Sequence, residues 1–325
     1  MHGIRYCNVV VGAVFACLAG VGAAQPAGTY PSKPIRLIVP FPPGGSDVVA
    51  RIIGQKVGDQ LGQMFVIDNR PGAASTLGAN IVAKATGDGY TILFATASFA
   101  ISAGAYRNLP YDPIRDFVPV ALVCSAPMVL VVHPSLPAST VKEFIALAKS
   151  KPDKLNYGSS GAGGMVHLAM EMFTSMAGAR LTHVPYKGSG PMQIDLLAGQ
   201  TQATIDVLGA ILPLIQAGKV RALGLTSAHR SRLLPDLPTV AESGVPGYQV
   251  GQWYGVLGPR GMPDRAADIL HAEIASVLKS NDMRERLAAL AFEPLISSRR
   301  EFAEFLRTDL AKWSRAVKES GVTLD

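Results

Sequence analysis

The sequence predicts an α/β protein of two lobes, with two mainly parallel sheets joined by crossing segments. Short apolar runs alternate with amphipathic segments of roughly 10–15 residues, which is the pattern of βαβ units. Residues 118–134 form a long apolar stretch interrupted only at 124–127, as expected of a segment that passes between lobes. A second candidate crossing follows residues 220–226. Two crossings assign the middle of the chain to one lobe and both ends to the other.

The apolar runs give ten predicted strands, at 35–41, 64–69, 90–95, 118–123, 128–133, 155–158, 181–186, 203–208, 220–226 and 251–257. Helical spacing of apolar residues predicts helices between many of them. A methionine-rich stripe over 165–176 favours core packing. From Pro263 onward the chain is predicted to be helical, with a final apolar face made of Phe302, Leu306, Leu310, Trp313 and Val317.

The first 24 residues have the pattern of a secretory signal peptide. Arg5 precedes a short apolar stretch, and small residues at 22–24 precede Gln25. A lipoprotein signal around Cys17 is the alternative. The predicted division is a signal peptide at 1–24, lobe 1 at 25–125 plus 228–325, and lobe 2 at 126–227.

Composition restricts the class of protein. Cys124 is the one cysteine outside the predicted signal peptide, so no internal disulfide is expected, and its apolar surroundings favour a buried side chain. The net charge of +6 comes from basic residues scattered among acidic ones, which does not resemble a nucleic-acid-binding face. No later run is long enough to span a membrane. We expect a soluble, monomeric protein outside the cytoplasm.

Two glycine-containing loops each follow a strand and precede a helix. The first is PFPPGGSD at 40–47, and the second is GSSGAGG at 158–164. Glycine permits close approach of backbone N–H groups, and a helix N-terminus offers unpaired donors, so such loops bind anionic oxygens without a cationic side chain. An ordinary turn with Ser46 or Asp47 as the N-cap is the alternative for the first loop. Because ligands bind at the carboxyl ends of strands, both loops are expected to face one cleft.

The sequence does not match the motifs of hydrolases, dinucleotide-binding proteins or zinc sites. The second loop has Ala162 where a G-x-S-x-G nucleophile elbow needs glycine, and it lacks the G-x-G-x-x-G fingerprint of dinucleotide-binding proteins. The chain has neither H-E-x-x-H nor a cysteine pair suited to zinc. We therefore predict no cofactor, no metal and no catalytic residue.

Further candidate site residues lie near these loops. His167 follows the second loop by one helical turn and either reaches the cleft or packs beneath it. Tyr186–Gly190 forms a third strand-to-loop junction. Asp206 lies in an apolar strand, so it should accept hydrogen bonds from a crossing segment or a ligand. Trp253 and Tyr254 either line the cleft or pack under it.

Several long stretches resemble the Bug family of extracytoplasmic solute receptors of tripartite tricarboxylate transporters. The resemblance covers nearly all of the chain after the predicted signal peptide, in YPSKPIRLIVPFPPGG, IDNRPGAASTLGA, LPYDPIRDFVPVALV, LNYGSSGAGGMVHLA, HVPYKGSGP, AGKVRALGLTSAHRS, LPTVAESGVPGY and EFAEFLRTDLAKW. It implies a type II (Venus-flytrap) periplasmic binding protein that closes on a small carboxylate and delivers it to a two-component membrane permease. It also implies recognition through backbone amides, hydroxyls and ordered waters.

With this resemblance, we expect the site to contain Phe41, Gly44, Gly45, Ser46, Asp47, Thr96, Ser98, Ser159, Ser160, Gly161, Gly163, His167, Tyr186, Gly188, Ser189 and Asp206. One departure is that only Ser46 separates Gly45 from Asp47, whereas family members usually have two residues there. Two alternatives stay open. One is an exported hydrolase or transferase using Ser160 and His167, and the other is a receptor that serves a sensor protein.

Overall fold

The computed structural model describes residues 30–43 and 46–320, without the side chain of Ser320. The predicted signal peptide at 1–24 lies outside these residues. The strands are β1 Ile35–Val39, β2 Phe65–Asn69, β3 Thr91–Thr96, β4 Phe117–Ala126, β5 Met128–Val132, β6 Asn156–Ser159, β7 Thr182–Pro185, β8 Ala203–Val207, β9 Arg221–Leu225, β10 Gln252–Pro259 and β11 Glu293–Pro294. All ten predicted strands are present, and the two-residue β11 was not predicted.

Ten α-helices lie in the described part of the chain. They are α1 Ser46–Leu61, α2 Thr76–Ala83, α3 Ala97–Ala105, α4 Val141–Ser150, α5 Met165–Ala177, α6 Ser189–Leu197, α7 Leu208–Gln216, α8 Asp264–Lys279, α9 Asn281–Ala289 and α10 Arg299–Ser320, and a short 3₁₀ turn covers Ala73–Ser75. Among these residues, no helix has the length and apolar content needed to cross a membrane.

The strands form two mixed sheets. A six-stranded sheet has the order β11-β4-β10-β3-β1-β2, and a five-stranded sheet has the order β7-β6-β8-β5-β9. Strands β1, β2 and β3 pair in parallel, as do β6, β7 and β8. The strands at the crossings pair antiparallel: β10 with β3 and β4, and β5 with β8 and β9. The prediction of two sheets joined by crossings is confirmed, and the crossings make the sheets mixed rather than mainly parallel.

Strand direction places the carboxyl-end edges of the two sheets, called here the functional edges, opposite each other. Because β10 is antiparallel to both β3 and β4, β4 ends at the edge where β1, β2 and β3 end. The chain passes through Pro127 directly into β5, which starts at the edge where β6, β7 and β8 end, because β5 is antiparallel to β8. The carboxyl ends of the parallel strands in both sheets therefore face one cleft beside the crossing.

The return crossing is longer. After β9, the segment 226–251 first remains attached to the five-stranded sheet, since Val240 N donates to Leu225 O (2.7 Å) and Val250 N donates to Thr226 O (2.8 Å). The Tyr248 hydroxyl also donates to the Ala169 carbonyl at 2.8 Å. The chain then enters β10 of the other sheet. The division of the lobes at residues 126 and 227 stays a prediction.

The buried core confirms the predicted helix faces. The five residues of the predicted α10 face are at most 7% exposed. In the methionine-rich stripe, Met165 and Phe173 are buried, whereas Met176 at the end of α5 is 43% exposed. Trp253 and Tyr254 are both buried, so of the two possibilities they pack within the core. Apolar packing continues from α3 and α10 onto α5, which joins the two lobes behind the cleft.

Candidate functional site

The first glycine loop is braced by Asn69 at the end of β2. Its Nδ2 donates to the Phe41 carbonyl at 2.9 Å and to Asp47 Oδ1 at 3.0 Å. Asp47 is buried, and its Oδ2 accepts from Arg51 Nε at 2.9 Å. Ser46 begins α1 and is half-buried. The carboxylate of Asp47 thus fixes the loop against α1 and β2, while Gly44 and Gly45 lie outside the described residues.

The end of β3 places two further predicted site residues at the lobe-1 edge. Thr96 is buried, and its Oγ1 caps α3 by accepting from Ser98 N at 3.2 Å. Ser98 is half-buried at the first turn of that helix. The predicted residues Thr96 and Ser98 therefore lie at the same sheet edge as Phe41 and Ser46.

A third lobe-1 loop, Gly72–Thr76, was missed as a site element. It follows β2 and precedes α2, the same strand–loop–helix arrangement that identified the other loops. Ala73, Ala74 and Ser75 all have positive φ, which is uncommon for residues other than glycine. The Ser75 hydroxyl is buried without a hydrogen-bond partner among the described residues. The strained backbone and the unsatisfied Ser75 hydroxyl together make this loop a candidate ligand contact.

The second glycine loop turns sharply between β6 and α5. Gly161 has φ 150° and Gly163 has φ 71°, conformations that favour glycine. Gly164 is the N-cap of α5 and supplies no side-chain hydrogen bond to the first turn. Ser159 is fully buried, whereas Ser160 is half-buried. The amides at the start of α5 thus have no side-chain acceptor from the cap.

The loop after β7 is joined to the second glycine loop. Tyr186 N donates to the Ser159 carbonyl at 2.9 Å, and Gly188 N donates to the Ser160 carbonyl at 3.1 Å. The Tyr186 hydroxyl donates to Asp195 Oδ2 at 2.7 Å. Burial, reinforced by this bond to Asp195, raises the pKa of Tyr186 to about 12, so its hydroxyl stays protonated at neutral pH.

Asp206 at the end of β8 holds the start of α6, the helix that follows the loop after β7. Its carboxylate accepts from Gln193 Nε2 (2.8 Å), from its neighbour Val207 N (2.8 Å) and from Ser189 Oγ (3.4 Å). Burial raises the pKa of Asp206, and these three donors oppose that effect. Asp206 accepts hydrogen bonds as predicted, but the donors are its neighbour Val207 and two residues of α6, not a crossing segment, which was one of the expected sources.

His167 is buried beside the second glycine loop. It is 7% exposed, and its Nδ1 accepts from Gly163 N at 2.9 Å. His183, which sequence reasoning did not select, contacts Ser159 Oγ through its Nε2 at 2.6 Å. Because Ser159 is fully buried, this pair lacks the access that a nucleophile needs. In the described residues, no hydrogen bond joins Ser160 to His167, the pair on which the hydrolase alternative depends.

The two lobe-2 loops and the end of β8 thus form one wall, and the lobe-1 loops form another at the facing edge. Four helices start at these walls without a side-chain cap, namely α2, α5, α6 and α7. A helix N-terminus carries N–H donors without intrahelical partners and the positive end of the helix dipole, although the first amides of α2 and α7 donate to the Ala73 and Pro127 carbonyls. Among the described residues, no cluster of three or more His, Cys, Asp or Glu side chains is arranged to hold a metal ion. The arrangement suits an anion bound by backbone and hydroxyl donors.

Comparison with known proteins gives the family. Residues 49–322 match the family model described as the tripartite tricarboxylate transporter family receptor. The chain belongs to this family. Members of this receptor family are periplasmic solute-binding proteins. Protein BugT of Bordetella pertussis is 37% identical over 96% of this chain and 96% of its own length.

Two solved structures of receptors from Rhodopseudomonas palustris are also similar. The protein Rpa4515 with adipate is 38% identical, with a TM-score of 0.79 over 90% of this chain and 99% of its own. MatC with bound malate is 31% identical, with a TM-score of 0.75 over 89% of this chain and 100% of its own. The receptor family and its two-lobed fold, both expected from the sequence motifs, are thereby confirmed.

Proposed function

We propose that this protein captures a small carboxylate in the cleft between its lobes and delivers it to a tripartite tricarboxylate-type membrane permease. It does so in the periplasm, without a cofactor and without catalysis. The ligand class includes dicarboxylates, tricarboxylates, acidic amino acids and aromatic acids. The related receptors with adipate and malate support a dicarboxylate as the first choice.

The uncapped helix N-termini at both walls are the observation that carries this proposal. A dicarboxylate presents two anionic groups, and the facing walls each offer free N–H donors. Charge-assisted hydrogen bonds from backbone amides are stronger than neutral ones. Recognition then needs no lysine or arginine against the ligand, and the geometry of the two walls selects the spacing between the carboxylates.

Hydroxyl groups complete the lobe-1 wall in this proposal. Ser75 Oγ is buried and has no hydrogen-bond partner among the described residues. A buried hydroxyl without a hydrogen bond costs roughly 1–3 kcal/mol, so a bound carboxylate oxygen or an ordered water would satisfy it. The half-buried Ser98 and Ser160 are further donors at the two walls.

Closure follows from the position of the crossings. Each crossing passes from one functional edge to the other, so small rotations there bring the walls together. A ligand that contacts both walls binds the closed form more tightly and shifts the population toward it. A permease that recognises the closed form would then distinguish the loaded receptor from the empty one.

A thermal-melt panel tests the proposal. The protein is first unfolded and refolded to strip any carried-over ligand, then melted with adipate, malate, succinate, aspartate, glutamate, citrate, nicotinate, benzoate and terephthalate. The matching amides are the controls. At about 1,000 times Kd, binding adds roughly 4 kcal/mol to the free energy of unfolding. For a chain of this size, that corresponds to a rise in Tm of several degrees.

A rise with an acid and none with its amide supports a carboxylate receptor and identifies the ligand class. Equal shifts with acid and amide, or no shift with any acid, would count against the proposal. A Ser75→Ala variant locates the lobe-1 contact, because it should lower the Tm shift produced by the best acid. Thr308→Ala, on the exposed face of α10 far from the cleft edges, is the matched control.

A further inference from the structure

Three aromatic rings stack behind the second glycine loop. The imidazoles of His167 and His183 lie nearly parallel, with centroids 3.8 Å apart and an interplanar angle of 8°. The ring of Tyr157 lies 4.9 Å from that of His183, tilted by 21°. The three residues come from α5, β7 and β6, so the stack ties together the elements that carry two loops of the lobe-2 wall.

Each imidazole holds one end of the glycine loop. At the loop's start, Ser159 Oγ lies 2.6 Å from His183 Nε2 and also hydrogen-bonds the backbone of Gly161. At its end, Gly163 N donates to His167 Nδ1 at 2.9 Å. The conformation of residues 159–163 therefore depends on both rings.

The bond to Gly163 requires a neutral His167. An N–H donor needs a lone pair on Nδ1, so the ring proton of His167 must be on Nε2. A proton added to Nδ1 would place two donors face to face and break the bond. A charged His167 would also lie directly against the ring of His183, and two stacked imidazolium ions would repel each other.

Burial favours the neutral form of both histidines at neutral pH. Burial lowers the pKa of both histidines, and for His183, burial and then the neighbouring His167 lower the pKa to about 4. Glu171 opposes this: its Oε1 lies 3.9 Å from His167 Nε2 and accepts the Tyr157 hydroxyl. The other charged groups in the groove beside Glu171 are Asp153 and Arg180, which pair with each other, and Glu319.

We propose that His167 and His183 are positioning residues of the ligand site, and that adding a proton to this stacked pair releases loop 159–163 and weakens ligand binding. The inference rests on the proposed function, since the loop is part of the carboxylate site. The histidines act through the loop and need not touch the ligand. Binding is then tight at neutral pH and falls in acid.

A ligand-free NMR titration tests the positioning role. Nitrogen-15 spectra of the histidine rings should show His167 neutral at pH 7, with the proton on Nε2. The Gly163 amide resonance should move with the same midpoint as the His167 ring as pH falls. In His167→Asn, Oδ1 can still accept from Gly163, but nothing titrates there, so the movement should disappear. His229→Asn, at an exposed site, is the control and should titrate as the wild type does.

A protonated Nδ1 on His167 at pH 7 would overturn the inference, as would a Gly163 amide that stays unchanged down to pH 4. His183→Gln, which keeps a polar group near Ser159, provides a second test if His167→Asn folds poorly. The Gly163 amide should still move with the midpoint of the His167 ring in this variant, because their hydrogen bond does not involve His183. A Gly163 amide that no longer follows the His167 ring in His183→Gln would also contradict the coupling.

Adipate binding provides the functional test. Between pH 7 and pH 4, wild-type affinity should fall about threefold or more beyond the fall in His167→Asn, because the ionisation of adipate is common to both proteins. Equal pH dependence in both would overturn the effect on binding. If adipate binds neither protein at pH 7, the proposed ligand is wrong, and the ligand-free titration still decides the role of the histidines.

Discussion

Gly209 of α7 lies directly against the Leu290 carbonyl, which follows α9. A Cβ placed on Gly209 would be 2.9 Å from that oxygen and 3.0 Å from the Ala291 Cβ. Helix α7 follows a strand of the five-stranded sheet, whereas α9 precedes β11 of the six-stranded sheet. The contact therefore joins the two lobes, and the absence of a side chain at residue 209 permits it.

Gly209→Val should disfavour this arrangement of the lobes. Forcing extra atoms into a tight contact costs about 1–3 kcal/mol. We expect a larger radius of gyration in solution scattering and affinity for the best acid lowered about fivefold or more. Ala210→Val places the same valine side chain at the next, exposed position and should leave both unchanged. Wild-type scattering and affinity in Gly209→Val would contradict this role.

Gly163→Val should damage the lobe-2 wall directly. The φ of 71° at Gly163 is strained for a β-branched side chain, and the new side chain would cover the amides at the start of α5. We expect Kd for the best acid to rise about tenfold or more, measured by calorimetry. The neighbouring Ala162 is exposed, so Ala162→Val is the matched control. Unchanged affinity in Gly163→Val would remove this loop from the site.

Replacing Trp253 or Trp313 with Phe distinguishes the contribution of a hydrogen bond to stability from that of packing. Trp253 Nε1 donates to the buried Asp309 at 2.7 Å, whereas Trp313 Nε1 is buried without a partner. Replacing either residue with Phe removes similar volume, but Trp253→Phe also removes a donor from Asp309. We expect its free energy of unfolding to fall by about 1–3 kcal/mol more than that of Trp313→Phe. Equal losses in urea denaturation would refute this assignment.

The stability of the ligand-free protein should fall in acid. The folded pKa values of His167 and His183 lie below the ordinary value of about 6.5, so the unfolded chain takes up protons first. Stability from these groups is complete above pH 6.5 and declines as pH falls toward about 4, the pKa of His183. Urea denaturation should show a smaller decline in His183→Gln than in the wild type. An equal decline in both proteins would show that His183 does not contribute.

Cys124 should be unreactive in the folded protein. It is fully buried, and burial raises the pKa of its thiol above the usual range. A thiol reagent should modify it at the rate of unfolding, and rapidly in denaturant. Fast modification of the native protein would show that this part of β4 opens.

The sequence predicted the strands well because apolar periodicity depends on the chain itself. It could not reveal that Ala73, Ala74 and Ser75 adopt positive φ, since no glycine marks those positions. The sequence also did not show that Asn69 supports the first glycine loop, because its hydrogen bonds reach residues that are 22 and 28 positions away in the chain. His183 was overlooked because its stacking on His167 depends on how β7 packs against α5. Loop positions were predictable, whereas the contacts that hold the loops depend on tertiary packing.

Isothermal titration with one acid–amide pair tests the central claim most directly. The pair is the acid that raises Tm most in the melt panel and its matching amide. The account predicts one acid bound per protein, with the amide binding about 100-fold more weakly or not at all, because the uncapped helix N-termini select for negative charge. An amide that binds as tightly as the acid would contradict it.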